Sequence, residues 1–397
     1  MTPPLTLEQA QARLLDLARP LGSESLPAEA AHGRYLAAPV VARRTQPAAD
    51  LSAMDGYAVA GAGPWQVVGE SAAGRPFGGR IGTGEAIRIS TGALLPEGGE
   101  AILLQEDAAR DGVTLALAPG GEASARHIRR RGFDFAVGDR VLEAGTRLGP
   151  AQLALAIGAG HGPGLEVGRL PRLAILDSGD ELVADAEHWD DHRIPASNGA
   201  MIAALAGPLA ASAERIGPVA DRLDALTAAL AAVEDADVVV TTGGASVGDH
   251  DLVRPALEAW GATIDFWRVA MRPGKPLLLA RRGEQWIVGL PGNPVSSFVT
   301  AFLFLLPLLR RLAGAHACLP QTLTARTGAP MPPGGPRVEF VRARLTGGTV
   351  TPIGERDSSA LRALAQANAL IERPIGAGPA AAGDEVRVYP LGDAGVA

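Results

Sequence analysis

Residues of the kind that bind anions are concentrated at three turns in the second half of the chain. The segment TTGGASVGDHD, residues 241 to 251, directly follows the apolar run DVVV and leads into a helix-like stretch. Gly243, Gly244 and Gly248 let backbone approach a ligand closely, while Ser246 and the following helix N-terminus aim donors at it. That arrangement suits phosphate. At its far end Asp249 and Asp251 are hard oxygen donors that could hold a hydrated divalent cation beside the phosphate. A helix-capping turn uses the same residue types, so the segment alone leaves both readings open.

The second turn, MRPGKP at 271 to 276, follows TIDFWRV and gathers Arg268, Arg272 and Lys275 near one strand end. Strand alternation puts Arg268 and Arg272 on one face, where two guanidinium forks and an ammonium would suit an oxyanion. The third, GLPGNPVSS at 289 to 297, places Gly292, Asn293 and Ser296 at another strand-to-helix junction. Its plain alternative is a cap with Pro294 in the first helical turn.

The elements that must carry these turns alternate from Arg172 onward: RLAILD, a helix after Asn198, a helix from Asp221 to Val233, the strand DVVVTT, a helix from Asp251, then further strands. Such alternation predicts a parallel sheet covered by helices on both faces. Leu223, Leu226, Leu230 and Val233 recur at near-helical spacing and define one buried face. The unit closes with a long apolar helix after Pro294. Beyond the break MPPGGP, the runs VEFVRARL and EVRVYP predict a small β domain, and the glycine-rich stretch from Val40 to Asp139 predicts another β-rich domain. The expected division of this α/β multidomain chain is therefore 1–40 with 139–171, then 41–138, 172–319 and 320–397, the first helix being free to pack on the central domain.

At 397 residues the chain is long enough for several cores, and its formal net charge of -7 argues against a nucleic-acid partner, which would need a broad basic face. The most apolar stretch, Phe298 to Leu309, reads as too short to span a bilayer and carries Pro307, so no membrane partner is expected. Cys318 is the single cysteine, which excludes an intrachain disulfide and reads as a packing residue. With no export signal legible in MTPPLTLEQAQARLLDLARP, a cytoplasmic protein is expected. Two weaker patterns carry no function: EHWDDH, with His188 and His192, lacks a distant third metal ligand, and GAGHGPG at 158 to 164 follows a helix-like run and ends it.

GGASVGDHD, PGKP and GLPGNPVSS, in this order and spacing, resemble the signature of the MoeA/gephyrin E-domain family of molybdopterin molybdenumtransferases. SAMDGYA at 52 to 58, STGALLPEG at 90 to 98, HIRRRGFDF at 127 to 135, SGDEL at 178 to 182 and SSALRALAQANALI at 358 to 371 match as well. The likeness spans roughly nine tenths of the chain. It implies a MogA/MoaB-like α/β/α molybdopterin-binding domain, β-rich domains and a C-terminal small β-barrel. It further implies that molybdate is inserted into adenylylated molybdopterin with Mg²⁺-dependent release of AMP, in a homodimer whose partner subunit would complete the pocket. A molybdopterin adenylyltransferase and molybdoenzyme maturation factors would be its partners.

Carried over residue by residue, the resemblance implies Asp55, Thr91, Asp134, Glu181, Asp221 and Asp251 as catalytic. It gives Gly243, Gly244, Ser246, Gly248, Asn198, Gly292, Asn293 and Ser358 to the pterin and its phosphate. Arg268, Arg272, Lys275 and Ser296 go to molybdate, and Asp249, Asp251 and Glu181 to Mg²⁺. Duller roles exist: Asp221 could be a helix N-cap, Asp55 could stabilise a turn, and RHIRRRG could be an exposed basic loop. Three departures stand out. Asp177 replaces the usual serine or threonine and puts an extra carboxylate beside Glu181, weakening anion binding there; Pro195 and Ala196 replace tyrosine and aspartate, which removes a polar contact; Arg268 and Arg272 replace lysines. The rivals are an adenylyltransferase, whose fingerprint resembles GGTG where this chain has Gly243, Gly244, Ala245 and Ser246, and a non-catalytic pterin carrier or scaffold.

Overall fold

The computed structural model describes residues 4–184, 191–243 and 252–392. Its centre is a six-stranded sheet in the order Ser212–Val219, Arg172–Ser178, Val238–Thr242, Gln285–Leu290, Leu278–Arg282, Thr263–Trp267. The first four strands run parallel. The last two join antiparallel, so the sheet is mixed where alternation had predicted a parallel one. The reason is local: Leu278–Arg282 and Gln285–Leu290 are too close in sequence for a crossover helix, and Gly283 turns the chain with φ +59.

Both faces of the parallel strands are buried. Leu173, Ile175, Val238 and Val240 pack on one side against Ile202, Val295, Phe302 and Leu306. Their neighbours Ala174, Leu176 and Val239 pack on the other against Leu226, Leu230, Val253 and Leu257. The helix expected from Asp221 runs Leu223–Ala231, and Leu223 is exposed at 44% rather than on the buried face, because it is the first helical residue.

The apolar helix is longer than its sequence suggested. It runs without interruption over the 19 residues Pro294–Leu312, passing through a π turn at Ala301–Leu305 just before Pro307. Length alone would let it cross a bilayer, but 89% of its most apolar window is buried inside the protein, where Leu7, Ala10 and Leu14 of the helix Leu7–Leu17 pack on the same core. Thr6 and Gln9 cap that first helix reciprocally.

The C-terminal strands Val338–Thr346, Thr349–Pro352, Leu323–Thr327, Glu385–Pro390 and Ala369–Arg373 close into a five-stranded barrel, as the first pairs with the last. Met271–Arg272 extends this barrel by pairing parallel to Val338 and Glu339, which ties the MRPGKP turn to it. Nearer the N-terminus lies a seven-stranded sheet, with Gly56–Val59 and Glu85–Ile89 at its centre.

Candidate functional site

At the carboxyl ends of the parallel strands lies a cavity of about 880 Å³, the place where open α/β sheets bind ligands. Ser178, Glu181, Asn198, Asp221, Gly243 and Gly292 are among its lining residues. Gly243 has φ +110, and a Cβ there would meet the Ser178 carbonyl at 2.7 Å, so only glycine fits this approach. Asn198 Nδ2 donates to the Gly292 carbonyl at 2.6 Å, which leaves its Oδ1 buried and without a partner. Ser178 Oγ is likewise buried and unpartnered. Unsatisfied polar atoms at a cavity wall are costly unless a ligand or water meets them.

Asp221 is not the helix N-cap, since Arg222 occupies that position. Its backbone N–H donates to Asp180 Oδ1 at 3.0 Å. Its carboxyl is pushed above the ordinary value, chiefly by burial and further by the negative charges of Asp180 and Glu181. The acids at this rim thus repel one another. Asp177, the extra carboxylate, stands at the cavity wall with its charge compensated. It is 2% exposed and its charge is met by Arg215 at 3.3 Å, by Gly199 N–H at 2.9 Å and by the Thr242 hydroxyl. The cost of its charge is met locally. Gly244, Ser246, Gly248, Asp249 and Asp251, with His188, lie outside the described residues. Among the described residues no three histidine, cysteine, aspartate or glutamate side chains converge as a metal-binding set.

A second cavity of about 400 Å³ adjoins the first and shares Pro276 and Ser296 with it. It brings together Arg272, Lys275, Ser296 and Ser358 as one group. Asn293 Nδ2 donates to Ser358 Oγ at 2.9 Å across the joint between the central domain and the tail. Gly274 makes the turn with φ +97, and a Cβ there would strike Thr300 at 2.4 Å. Arg337, Arg342 and Arg356 also line this cavity, and sequence reasoning missed them because they belong to segments read only as linker and barrel strand. Arg342 is spent on the carbonyls of Glu355, Asp357 and Ala360 and so acts as a girder. Arg272 lies 3.6 Å from Glu339, a pairing that holds its guanidinium at the cavity edge.

Arg268 is not among the lining residues of either cavity. The alternation argument fails because the strand ends at Trp267, Arg268 takes φ +112, and Arg272 belongs to the barrel's sheet instead. Asp55 and Thr91 form their own group on the seven-stranded domain, the Thr91 N–H donating to Asp55 Oδ1 at 2.8 Å. Asp134 is anchored through its N–H to the Gln46 carbonyl at 3.0 Å. None of these three lines either cavity within one chain. The basic run beside them is pinned rather than loose: Arg130 pairs with Asp50 at 2.6 Å and the Arg131 N–H donates to the same carboxylate. These contacts, the Arg131 N–H first, hold the Asp50 carboxyl below its ordinary value against the opposing effect of burial.

Buried Cys318, whose thiol sits 3.3 Å from the Ala315 carbonyl, is a packing residue with its ionisation pushed up by burial.

Family models match along most of the chain: the MoeA N-terminal region (domain I and II) over residues 5–160, a probable molybdopterin binding domain over 174–311, and the MoeA C-terminal region (domain IV) over 324–391. A molybdopterin molybdenumtransferase of Haemophilus influenzae is 36% identical over 320 residues, 78% of each chain. One from Nostoc is 34% identical over 91% of this chain and 87% of its own. The crystal structure of the molybdopterin biosynthesis moeA protein from Pyrococcus horikoshii superposes with a TM-score of 0.83 at 25% identity, covering 98% of this chain and 100% of that one. In sequence, domain order and fold alike, the chain belongs to the MoeA family.

Proposed function

We propose that the chain is a molybdopterin molybdenumtransferase that takes adenylylated molybdopterin and molybdate as substrates and releases AMP. The observation carrying this reading is the pair of adjoining cavities, one walled by glycines, acids and unpartnered polar atoms, the other by cations, with Ser296 common to both. Two reactants held in adjoining sites gain the proximity that a bimolecular insertion lacks in water. In this reading Asn198, Gly243, Gly292 and Asn293 hold the pterin side, with Ser358, which lines the smaller cavity, bonded to Asn293 at the joint. Arg272, Lys275 and Ser296, with Arg356 and Arg337 added, hold the molybdate dianion by charge-assisted bonds.

Mg²⁺ would neutralise charge on the phosphates during cleavage. Glu181 and Asp221 offer it hard oxygen donors, and the Asp221 carboxyl, raised first by burial and then by the charges of Asp180 and Glu181, sits where a cation would relieve the repulsion. A homodimer would let Asp55, Thr91 and Asp134 face the cavity from the partner subunit, and the single buried thiol suits a reducing compartment such as the cytoplasm. AMP release measured with and without molybdate decides the function: a transferase requires molybdate, a carrier releases none, and an adenylyltransferase consumes ATP. Sedimentation showing only monomer at micromolar concentration would remove the partner-subunit arrangement.

A further inference from the structure

The helix Ser197–Ala206, which carries Asn198, begins without a cap from its own N-cap residue: that residue is Ala196, whose methyl can accept no hydrogen bond. The first N–H groups of a helix need acceptors from somewhere. One comes from a distant strand, since Asp177 Oδ1 accepts from the N–H of Gly199, the third helical residue, at 2.9 Å. Arg215 then bridges the two sides, its Nη2 lying 3.3 Å from Asp177 Oδ2 and 3.1 Å from the Ala196 carbonyl. Space for this depends on Gly199, where an added Cβ would lie 2.2 Å from Asp177 Oδ2.

We propose that Asp177 and Arg215 form a positioning clamp that stands in for the missing cap at Ala196 and fixes Asn198 for the ligand of the larger cavity. The departures at 177 and 196 are then two halves of one exchange, with glycine at 199 as its third part. Asp177 lies at the wall of the larger cavity, but its two carboxylate oxygens are taken up by the Gly199 N–H, Thr242 and Arg215, so it acts through the helix start as a positioning residue. The consequence for binding rests on the reading of this cavity as a pterin site; the clamp itself does not.

The test compares Asp177→Ser, the double variant Asp177→Ser with Ala196→Asp, and Gly199→Ala in both backgrounds. Amide hydrogen exchange over residues 197–200 and equilibrium binding of molybdopterin are the two readouts. Asp177→Ser should lower exchange protection and pterin affinity by about tenfold each, the factor that corresponds to about 1.4 kcal/mol. Aspartate at 196 can cap the helix directly and meet Arg215, so the double variant should recover both. Gly199→Ala should copy the Asp177→Ser defect in the natural chain and be harmless in the double variant, where the Asp177 carboxylate no longer opposes the new methyl. Failure of Ala196→Asp to restore protection, or equal damage by Gly199→Ala in both backgrounds, overturns the clamp. Recovery of protection without recovery of affinity overturns its link to Asn198. If the natural chain binds no molybdopterin, the pterin reading fails while the exchange measurements still decide the clamp.

Discussion

The side-chain amide of Gln11 donates to the carbonyl of Leu303 at 2.9 Å, deep in the core where the first helix crosses the apolar one. Leu303 needs that donor because Pro307, four residues on, has no N–H to give it. Replacing Gln11 with leucine should therefore cost about 1 to 3 kcal/mol, the penalty of an unsatisfied buried acceptor. In a Pro307→Ala background, where an N–H is available again, the same change should cost less. Urea unfolding of the four chains measures this coupling, and a Gln11 cost unchanged by Pro307→Ala would refute the pairing.

Legibility in the sequence followed the range of the interactions involved. The parallel strands were readable because burial on both faces makes them continuous apolar runs, and the turns that put Lys275, Ser296 and Asn293 at cavity walls because turn chemistry is local. Arg268 was misplaced because a single residue at φ +112 takes the chain out of one sheet before it enters another, a change that alternation cannot register. Arg337 and Arg356 were missed because only closure of the barrel against the central domain brings them to the cavity. The partners of Asp177 were illegible for the same reason: Gly199, Arg215 and Thr242 are 22, 38 and 65 residues away.

Asp221 should limit stability at neutral pH. Its folded-state ionisation is raised, so the stability tied to its protonated form is present below the ordinary value of 3.8 and is lost as pH rises through the higher folded value. Asp221→Asn removes that loss. Thermal melts should show the variant more stable than the natural chain at pH 7, with the difference vanishing in acid. The proposed function adds that its AMP release falls. A difference between the two chains no larger at pH 7 than in acid would sink the electrostatic account.

Tyr389 joins the barrel to the apolar helix. Its ring meets Phe302 and Phe340 edge-on, and its hydroxyl donates to buried Glu372 at 3.0 Å. Burial first, and then the Glu372 charge, push the phenol's ionisation well up from its ordinary value of 10.0. Tyr389→Phe keeps the rings and removes the donor, at a cost of about 1 to 3 kcal/mol. Because the raised group stabilises the fold below pH 10 and that contribution is lost as pH rises through the folded value, the gap between the chains should be steady near neutrality and shrink in alkali. Denaturant titrations at pH 7 and above pH 10 check it; a gap that widens in alkali contradicts it.

The last prediction separates the oxyanion cavity from the pterin cavity. Arg272 and Lys275 line only the smaller one, whereas Asn198 and Gly243 line only the larger. Changing Arg272 and Lys275 together to glutamine removes two charge-assisted bonds to molybdate, each contributing about 1.5 to 3 kcal/mol. Molybdate can exchange such bonds for water, so part of that is recovered, yet the concentration it needs should still rise at least about tenfold, equivalent to about 1.4 kcal/mol. Neither substitution breaks the central fold, since among the described residues the carboxylate paired with Arg272 is Glu339 at 3.6 Å across a half-exposed edge, a contact of small worth. Molybdopterin affinity should change far less, because its contacts are assigned to the neighbouring wall. Titrating AMP release against molybdate, and binding against molybdopterin, gives the two numbers. Should pterin affinity collapse while the molybdate requirement stays put, the cations grip the pterin phosphate and the two cavities exchange roles.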